Sequence, residues 1–148
     1  MQFNKMIYNR IFGELRILYE KFNNISIKEL SQYKCLIIID TIVTFKFTLL
    51  STYPFTIPEI LINDKRYSSF LSLDHKYLAL LKQHYGYDCL CCHSLSCIKN
   101  WTPHESLLQI IDEFNINLKI KKKLVQLYFC KLIKDKYNCE FLYIEDYL

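Results

Sequence analysis

A series of short apolar segments in the first half of the chain most constrains the fold. Residues 25–30, 33–42 and 43–53 follow one another with almost no connecting chain, and Phe45 and Phe47 alternate with polar residues in the third segment. That alternation is the period of a β-strand with one buried face. Strands joined by such short turns pair with their neighbours as an antiparallel meander.

A proline-containing turn follows these three segments. Pro54 and Pro58 exclude a helix and make a stiff, extended connection. The apolar residues of 59–64 then predict a fourth strand of the same meander.

Helices are predicted on either side of the meander. Residues 5–22 carry apolar side chains at helical spacing, and Arg10 and Glu14 stand one turn apart on the other side, as a supporting ion pair. Residues 67–86 show a weaker helical period, which predicts one further helix. Helices kept to one face of an antiparallel sheet make an α+β domain.

A helix start is predicted just after the cysteine-rich stretch. Thr102 can act as the N-cap, Pro103 suits the first helical position, and Glu105 completes a capping box. Leu and Ile residues then form a buried face to residue 114, and a separate helix is expected over 118–137. We therefore expect a single α+β domain over residues 1–148, with an N-terminal helix, a four-stranded antiparallel meander and C-terminal helices.

Composition excludes several classes of function. The 148 residues are 51% hydrophobic and 23% charged, with a net charge of +4 and two glycines, which leave little room for a phosphate-cradling loop. The late lysines are interpreted as a solvated helix face, so no nucleic-acid partner is expected. No apolar run approaches the ~18 residues of a membrane span, and no signal peptide is recognised. A cytoplasmic protein without a membrane partner is expected.

Seven cysteines in such a chain indicate reduced thiols and not a disulfide framework. Three interpretations of the stretch 89–97 remain open. One thiol could be a reactive nucleophile, several could be small buried side chains, or Cys89, Cys92, Cys97 and His93 could bind zinc. The cofactor expectation is none, with zinc as the alternative.

Two short motifs resemble those of the ubiquitin-conjugating enzymes, the E2 or UBC-like family. They lie in the expected order on the expected elements, over about residues 5–116. Tyr53, Pro54, Phe55 and Pro58 match the family's Tyr-Pro-Phe-x-Pro-Pro turn, and Trp101 and Pro103 match its Trp-x-Pro. The resemblance implies a UBC-like fold, and a large DNA virus is a source that would fit the AT-rich coding bias. The host cytoplasm would then be the location.

The resemblance implies thioester chemistry. Such enzymes accept ubiquitin or a ubiquitin-like protein from an E1 activating enzyme on a cysteine and pass it to lysine, often with a RING-type E3 ligase. The family's cysteine lies some eight to ten residues before the tryptophan, so Cys92, nine residues before Trp101, is the first candidate. Cys91 is the second. Cys89, the third, begins the family's usual Cys-Leu pair.

Partner surfaces follow from the same resemblance. Phe55, Pro103 and His104 correspond to the patch that RING domains grip. Lys5, Arg10 and Arg16 of the first helix correspond to the surface that meets the activating enzyme. Nothing in the pattern requires more than a monomer.

Two features depart from the family. Neither His75 nor His84 is followed by Pro-Asn, so the His-Pro-Asn motif is missing, and the acidic loop after the second helix is missing as well. These gaps leave a second hypothesis open, a non-catalytic E2-variant binding module of the ubiquitin pathway that zinc could stabilise.

Overall fold

A computed structural model describes residues 5–31 and 33–137, with side chains described in 7–28 and 33–137. It has an N-terminal helix, a five-stranded antiparallel sheet and a long C-terminal helix. The elements in chain order are α1 Lys5–Lys21, β1 Ile25–Ser31, β2 Lys34–Asp40, β3 Thr44–Leu50, β4 Glu59–Ile62, β5 Lys65–Arg66, α2 Tyr67–Leu71, α3 His75–Tyr85 and α4 Leu107–Tyr137.

The sheet is the meander that the sequence predicts, extended by one short strand. Its strand order is β1-β2-β3-β4-β5, and every neighbouring pair is antiparallel. Phe47 sits opposite Ile37 on one side and Ile60 on the other, and all three are buried. The added strand β5 follows a tight turn in which Asn63 and Asp64 have φ values of 49° and 62°. Asn and Asp tolerate this left-handed conformation better than most residues.

One face of the sheet forms the core. In β2 and β3 the buried side chains alternate with partly exposed ones, as the sequence pattern predicts. Leu15 and Leu18 of α1 and Phe114 of α4 belong to the same buried cluster. The Phe114 ring meets the Phe45 ring edge to face, with centroids 5.2 Å apart. The helices therefore pack on the sheet as a second layer.

The prediction of a single helix over 67–86 is wrong, because this segment forms two helices. The chain forms α2 and α3, with Ser72 and Asp74 extended between them. The break allows Tyr67 and Leu71 of α2 and Leu81 of α3 each to reach the core. Helix α3 ends at Gly86, whose φ of 72° is the left-handed conformation that ends many helices.

The predicted start of α4 is wrong by one turn. Thr102 and Glu105 form a turn, and the helix begins at Leu107. The capping box that operates is formed by Ser106 and Gln109. The Ser106 N–H donates to Gln109 Oε1 at 2.7 Å, and the Gln109 N–H donates to Ser106 Oγ at 3.3 Å.

The separate helix predicted over 118–137 is also wrong, because α4 runs unbroken for 31 residues. Asn117, in the first half of α4, is buried and donates from Nδ2 to the Tyr67 hydroxyl at 3.3 Å. That long-range contact satisfies a polar side chain at a position where the local sequence suggested a break. None of the helices in the part of the chain that the structure describes is both long and apolar enough to cross a membrane.

Candidate functional site: the cysteine loop

The two motifs that suggested a family are in direct contact. The Trp101 indole Nε1 donates to the carbonyl oxygen of Pro54 at 2.8 Å, and the Trp101 ring lies 6.2 Å from that of Tyr53. Tyr53 and Trp101 are buried, and the Tyr53–Pro54 peptide bond is cis. The turn at residues 53–58 is thereby fixed against the chain that precedes α4.

A buried carboxylate ties α1 to the same region. Glu14 accepts from Arg10 Nε at 2.8 Å, from the Tyr53 hydroxyl, and from the Leu107 N–H at 3.0 Å. Burial, and then the Glu14 charge, raise the pKa of Tyr53 well above its ordinary range. The Arg10–Glu14 pair is therefore confirmed, but its expected place on a supporting outer face is wrong, since Glu14 is only 6% exposed.

The stretch between α3 and α4, residues 88–100, is here called the cysteine loop. Its downstream half is anchored to α4 by Glu113. Glu113 Oε1 accepts from Ser94 Oγ at 2.6 Å and from the Tyr67 hydroxyl at 2.7 Å, while Oε2 accepts from the Leu95 N–H at 2.7 Å. Three donors on one carboxylate make a strong, charge-assisted anchor.

Asn100, the last residue of the cysteine loop, holds the middle of the loop. Its Nδ2 amide donates to the carbonyl oxygens of Cys92 at 2.8 Å and Ser94 at 2.9 Å. Residues Cys91–His93 form a single 3-10 turn. Leu90, which directly precedes this turn, is buried. The backbone around the cysteines is therefore fixed at both ends.

Three sulfurs converge on the outer side of this fixed backbone. Those of Cys89, Cys91 and Cys92, here called the thiol cluster, lie within 4.8 Å of one another. Cys91 Sγ donates to Cys89 Sγ at 3.1 Å and lies 4.0 Å from Cys92 Sγ. The Cys92 N–H donates to Cys89 Sγ at 3.4 Å. Cys91 and Cys92 are exposed and Cys89 is half-exposed.

The three thiols differ in acidity because of this arrangement. Donation from Cys92, then from Cys91, lowers the pKa of Cys89. The hydrogen bond with Cys89 is the largest cause that raises the pKa of Cys91. It is also the largest cause that raises the pKa of Cys92, to about 12. Cys89 is therefore the first of the three to become a thiolate, which is the nucleophilic form.

Comparison of the chain with protein-family models, with characterised proteins and with solved structures finds no match.

The zinc set expected from spacing is corrected by the geometry. Within the described residues, the sulfurs that come together belong to Cys89, Cys91 and Cys92, while Cys97 and His93 are not part of the group. His93 instead stacks on the Tyr87 ring, with centroids 4.1 Å apart. The 3-10 turn brings Cys91 to the sulfurs that flank it, which sequence spacing alone does not reveal.

The residues expected to bind partners come from two regions of the structure that meet at one depression. Phe55 is 62% exposed on its turn, and Pro103 and His104 are exposed before α4. The Trp101–Pro54 hydrogen bond makes these two loops neighbours. A depression of about 360 Å³ is lined by residues that include Arg10, Arg16 and His104.

The two described arginines of α1 differ in their availability. Arg10 Nη2 donates to the Glu105 carbonyl oxygen at 2.6 Å, in addition to its pair with Glu14, so its guanidinium is used within the protein. Arg16 is exposed and lines a mainly apolar groove of about 560 Å³ with Phe12, Tyr19 and Ile27. The backbone of Lys5 begins α1, and its side chain lies outside those described.

Sequence reasoning missed Asn100 and Glu113, which hold the loop. Asn100 directly precedes Trp101, a position with no independent signal. Glu113 lies on the α4 face between the buried residues Ile110 and Phe114. An acidic residue beside an apolar helical stripe is a usable signal for a side chain that reaches a neighbouring element.

Proposed function

We propose that the chain is an E2-like carrier that accepts ubiquitin or a ubiquitin-like modifier as a cysteine thioester and transfers it to lysine. The observation that carries the proposal is the 2.8 Å hydrogen bond from Trp101 to Pro54. It joins the two motifs on which the resemblance rests, next to a loop that presents exposed thiols. The order of helix, meander, loop and helix supports the same reading.

The reaction needs little beyond a positioned thiolate. The thiolate attacks the thioester carbonyl on the activating enzyme, a new C–S bond forms, and the activating enzyme's thiolate leaves. An acceptor amine then attacks the new thioester, the C–N bond forms, the C–S bond breaks, and the amine loses a proton. A thioester is activated enough for this second step, so orientation is the protein's main contribution.

Cys89 is the nucleophile that this proposal favours within the thiol cluster, with Cys92 and Cys91 as the alternatives. Its sulfur accepts hydrogen bonds from the Cys91 thiol and the Cys92 N–H, which stabilise negative charge on it. Spacing from Trp101 favours Cys92, whereas the Cys89-Leu90 pair and the direction of these hydrogen bonds favour Cys89. Leu90 is buried, so it fixes the position of the sulfur on either side of it.

Asn100 is assigned a positioning role in this proposal. Both donors of its amide are used on loop carbonyls, so it supports the backbone that carries the nucleophile and does not contact the reacting carbonyl. In this proposal Asn100, which follows the cysteines in the chain, supports the loop in place of the missing His-Pro-Asn motif.

The acceptor lysine must reach the thioester already deprotonated. Asp88, the carboxylate next to Cys89, is paired with Lys82 at 2.8 Å, and this contact lowers the pKa of Asp88. A carboxylate with a lowered pKa is a weak general base. Discharge to free lysine is therefore expected to accelerate with pH from 7 to 9, by nearly tenfold per pH unit, toward the amine pKa of about 10.4.

The test is formation of a thiol-sensitive adduct. The purified chain is incubated with activating enzyme, ATP and ubiquitin or related modifiers, and is analysed without reducing agent. We expect an adduct that dithiothreitol removes and that Cys89→Ala abolishes. Cys97→Ala, on the same loop outside the cluster, is the matched control and should charge normally. If the wild-type chain forms no adduct with any modifier, the carrier proposal is refuted.

The second hypothesis, a non-catalytic binding module, is favoured by the missing His-Pro-Asn motif. It predicts that a modifier or a ligase binds with no adduct and that Cys89→Ala leaves binding unchanged. The exposure of Cys91 and Cys92 favours the carrier over a module in which the cysteines only pack in the interior.

A further inference from the structure

We propose that Cys89, Cys91 and Cys92 form a binding site for a soft d10 metal ion, with Zn²⁺ as the ion to test. Tetrahedral zinc holds each sulfur at ~2.3 Å, which places neighbouring sulfurs about 3.8 Å apart. The observed separations of 3.1 Å and 4.0 Å bracket that value, and all three sulfurs lie within 4.8 Å. Small side-chain rotations would therefore complete a three-sulfur site.

The backbone is already arranged for such a site. The Cys92 N–H points at Cys89 Sγ at 3.4 Å, the kind of contact that stabilises a metal-bound thiolate. Asn100 fixes the Cys92 carbonyl, and buried Leu90 holds Cys89 and Cys91 on the same outer side of the loop. Little conformational entropy would be lost when an ion binds.

The ligand set defines the class of ion. Thiolates select soft ions such as Zn²⁺ and Cu⁺ over Mg²⁺ or Ca²⁺. Three thiols bind Zn²⁺ as three thiolates, with three protons released, no change of oxidation state, and a net charge of −1 at the centre. The exposed side of the cluster leaves the fourth position to water or to a ligand from a partner.

The site stands apart from the proposed carrier function, because metal binding needs only the sulfurs. The two activities nevertheless compete for Cys89, since a metal-bound thiolate cannot attack a thioester. A carrier that binds zinc here would be charged only after the ion leaves.

Metal binding is tested on the full chain, reduced and freed of metal. Co²⁺ titration should produce a thiolate-to-cobalt charge-transfer band and tetrahedral ligand-field bands that saturate at a single ion per chain, and Zn²⁺ should remove them. Loss of a group that only hydrogen-bonds to a metal ligand typically lowers metal affinity 10–100-fold, so replacing a ligand itself by serine at Cys89, Cys91 or Cys92 should lower it at least ~100-fold. Cys97→Ser should change affinity less than about twofold.

A measurement on the wild-type chain keeps the test independent of variant folding. Zn²⁺ should protect the thiol cluster from iodoacetamide, read by mass spectrometry, while Cys97 remains as reactive as without metal. Absence of the charge-transfer band, or equal protection of Cys97, overturns the proposal. Because neither assay contains a modifier, failure here is separate from failure of thioester formation.

Discussion

Replacing Glu113 by Gln tests whether this carboxylate anchors the cysteine loop. The side chain keeps its shape but loses its charge and one of its two acceptor oxygens. The remaining oxygen can serve either the Leu95 N–H or the hydroxyls of Ser94 and Tyr67, but not both groups. One set of donors is therefore left facing an NH₂ group.

The expected loss in the free energy of unfolding follows from these contacts. A hydrogen bond to a charged group contributes about 1.5–3 kcal/mol and a neutral one about 1 kcal/mol. Glu113→Gln removes charge assistance from all three contacts. If the remaining oxygen accepts the Leu95 N–H, the two hydroxyls must accept from the new NH₂ group instead of donating, while partial exposure of the site lets water replace some of the loss. We expect destabilisation of about 2 kcal/mol, which for a chain of this size lowers Tm by about 4–8 °C.

Urea unfolding followed by far-UV circular dichroism measures the free energy of unfolding. Asp112→Asn is the matched control, because Asp112 is exposed on the same turn of α4 and its replacement removes the same charge near the same helix end. That control should lie within about 0.5 kcal/mol of wild type.

Hydrogen exchange locates the effect. The Leu95 amide should exchange roughly 10–30-fold faster in Glu113→Gln if the loop opens locally, since about 1.4 kcal/mol corresponds to a factor of ten. Equal stabilities for Glu113→Gln and Asp112→Asn would refute the anchor, and so would unchanged exchange at Leu95.

Four further substitutions test other contacts by the same unfolding assay. Ser106→Ala should cost about 1 kcal/mol through loss of the capping box, whereas Thr102→Ala should cost less than about 0.5 kcal/mol, and the reverse order would contradict the observed helix start. Trp101→Phe leaves the Pro54 carbonyl without its indole donor and should cost about 1–3 kcal/mol, against no change if water replaces the donor fully. Asn100→Ala should cost about 1–2 kcal/mol and raise the alkylation rate of the loop thiols, while an unchanged rate would show that the amide does not hold the loop.

Local pattern was sufficient for strands β1 to β4 and for the first helix, whereas the short strand β5 was not predicted. Alternation predicts that Phe45 and Phe47 share one face, and both are buried. Short connections leave antiparallel neighbours as the accessible pairing, so topology follows from spacing. The bounds of α1 agree with the predicted 5–22 to within one residue.

The start of α4 could not be decided locally, because two capping boxes occur four residues apart. Thr102 with Glu105 and Ser106 with Gln109 fit the same pattern. Long-range contacts select the second. Glu14 accepts the Leu107 N–H at 3.0 Å, which supplies an acceptor for one of the helix's first, otherwise unpaired amides.

The thiol cluster was only partly predictable for a related reason. Spacing identifies a stretch rich in sulfur, but which sulfurs meet depends on a 3-10 turn and on contacts from α4 that lie outside the stretch. The same spacing rule placed Cys97 with the cluster and left Cys91 out of the zinc set. Sulfur convergence is a property of the tertiary fold.

The contacts that Glu113, Asn100 and Trp101 make to hold the cysteine loop do not involve the sulfurs. Glu113 and Asn100 bind the backbone and hydroxyl groups around residues 92–95, and Trp101 fixes the chain beyond them. Folding therefore does not require the exposed thiols, and serine at Cys91 or Cys92 should change the free energy of unfolding by less than about 0.5 kcal/mol. A thioester carrier and a metal site both need a fixed backbone with exposed sulfurs that folding does not require. The two proposals are therefore distinguished by assays of thiol chemistry and not by measurements of stability.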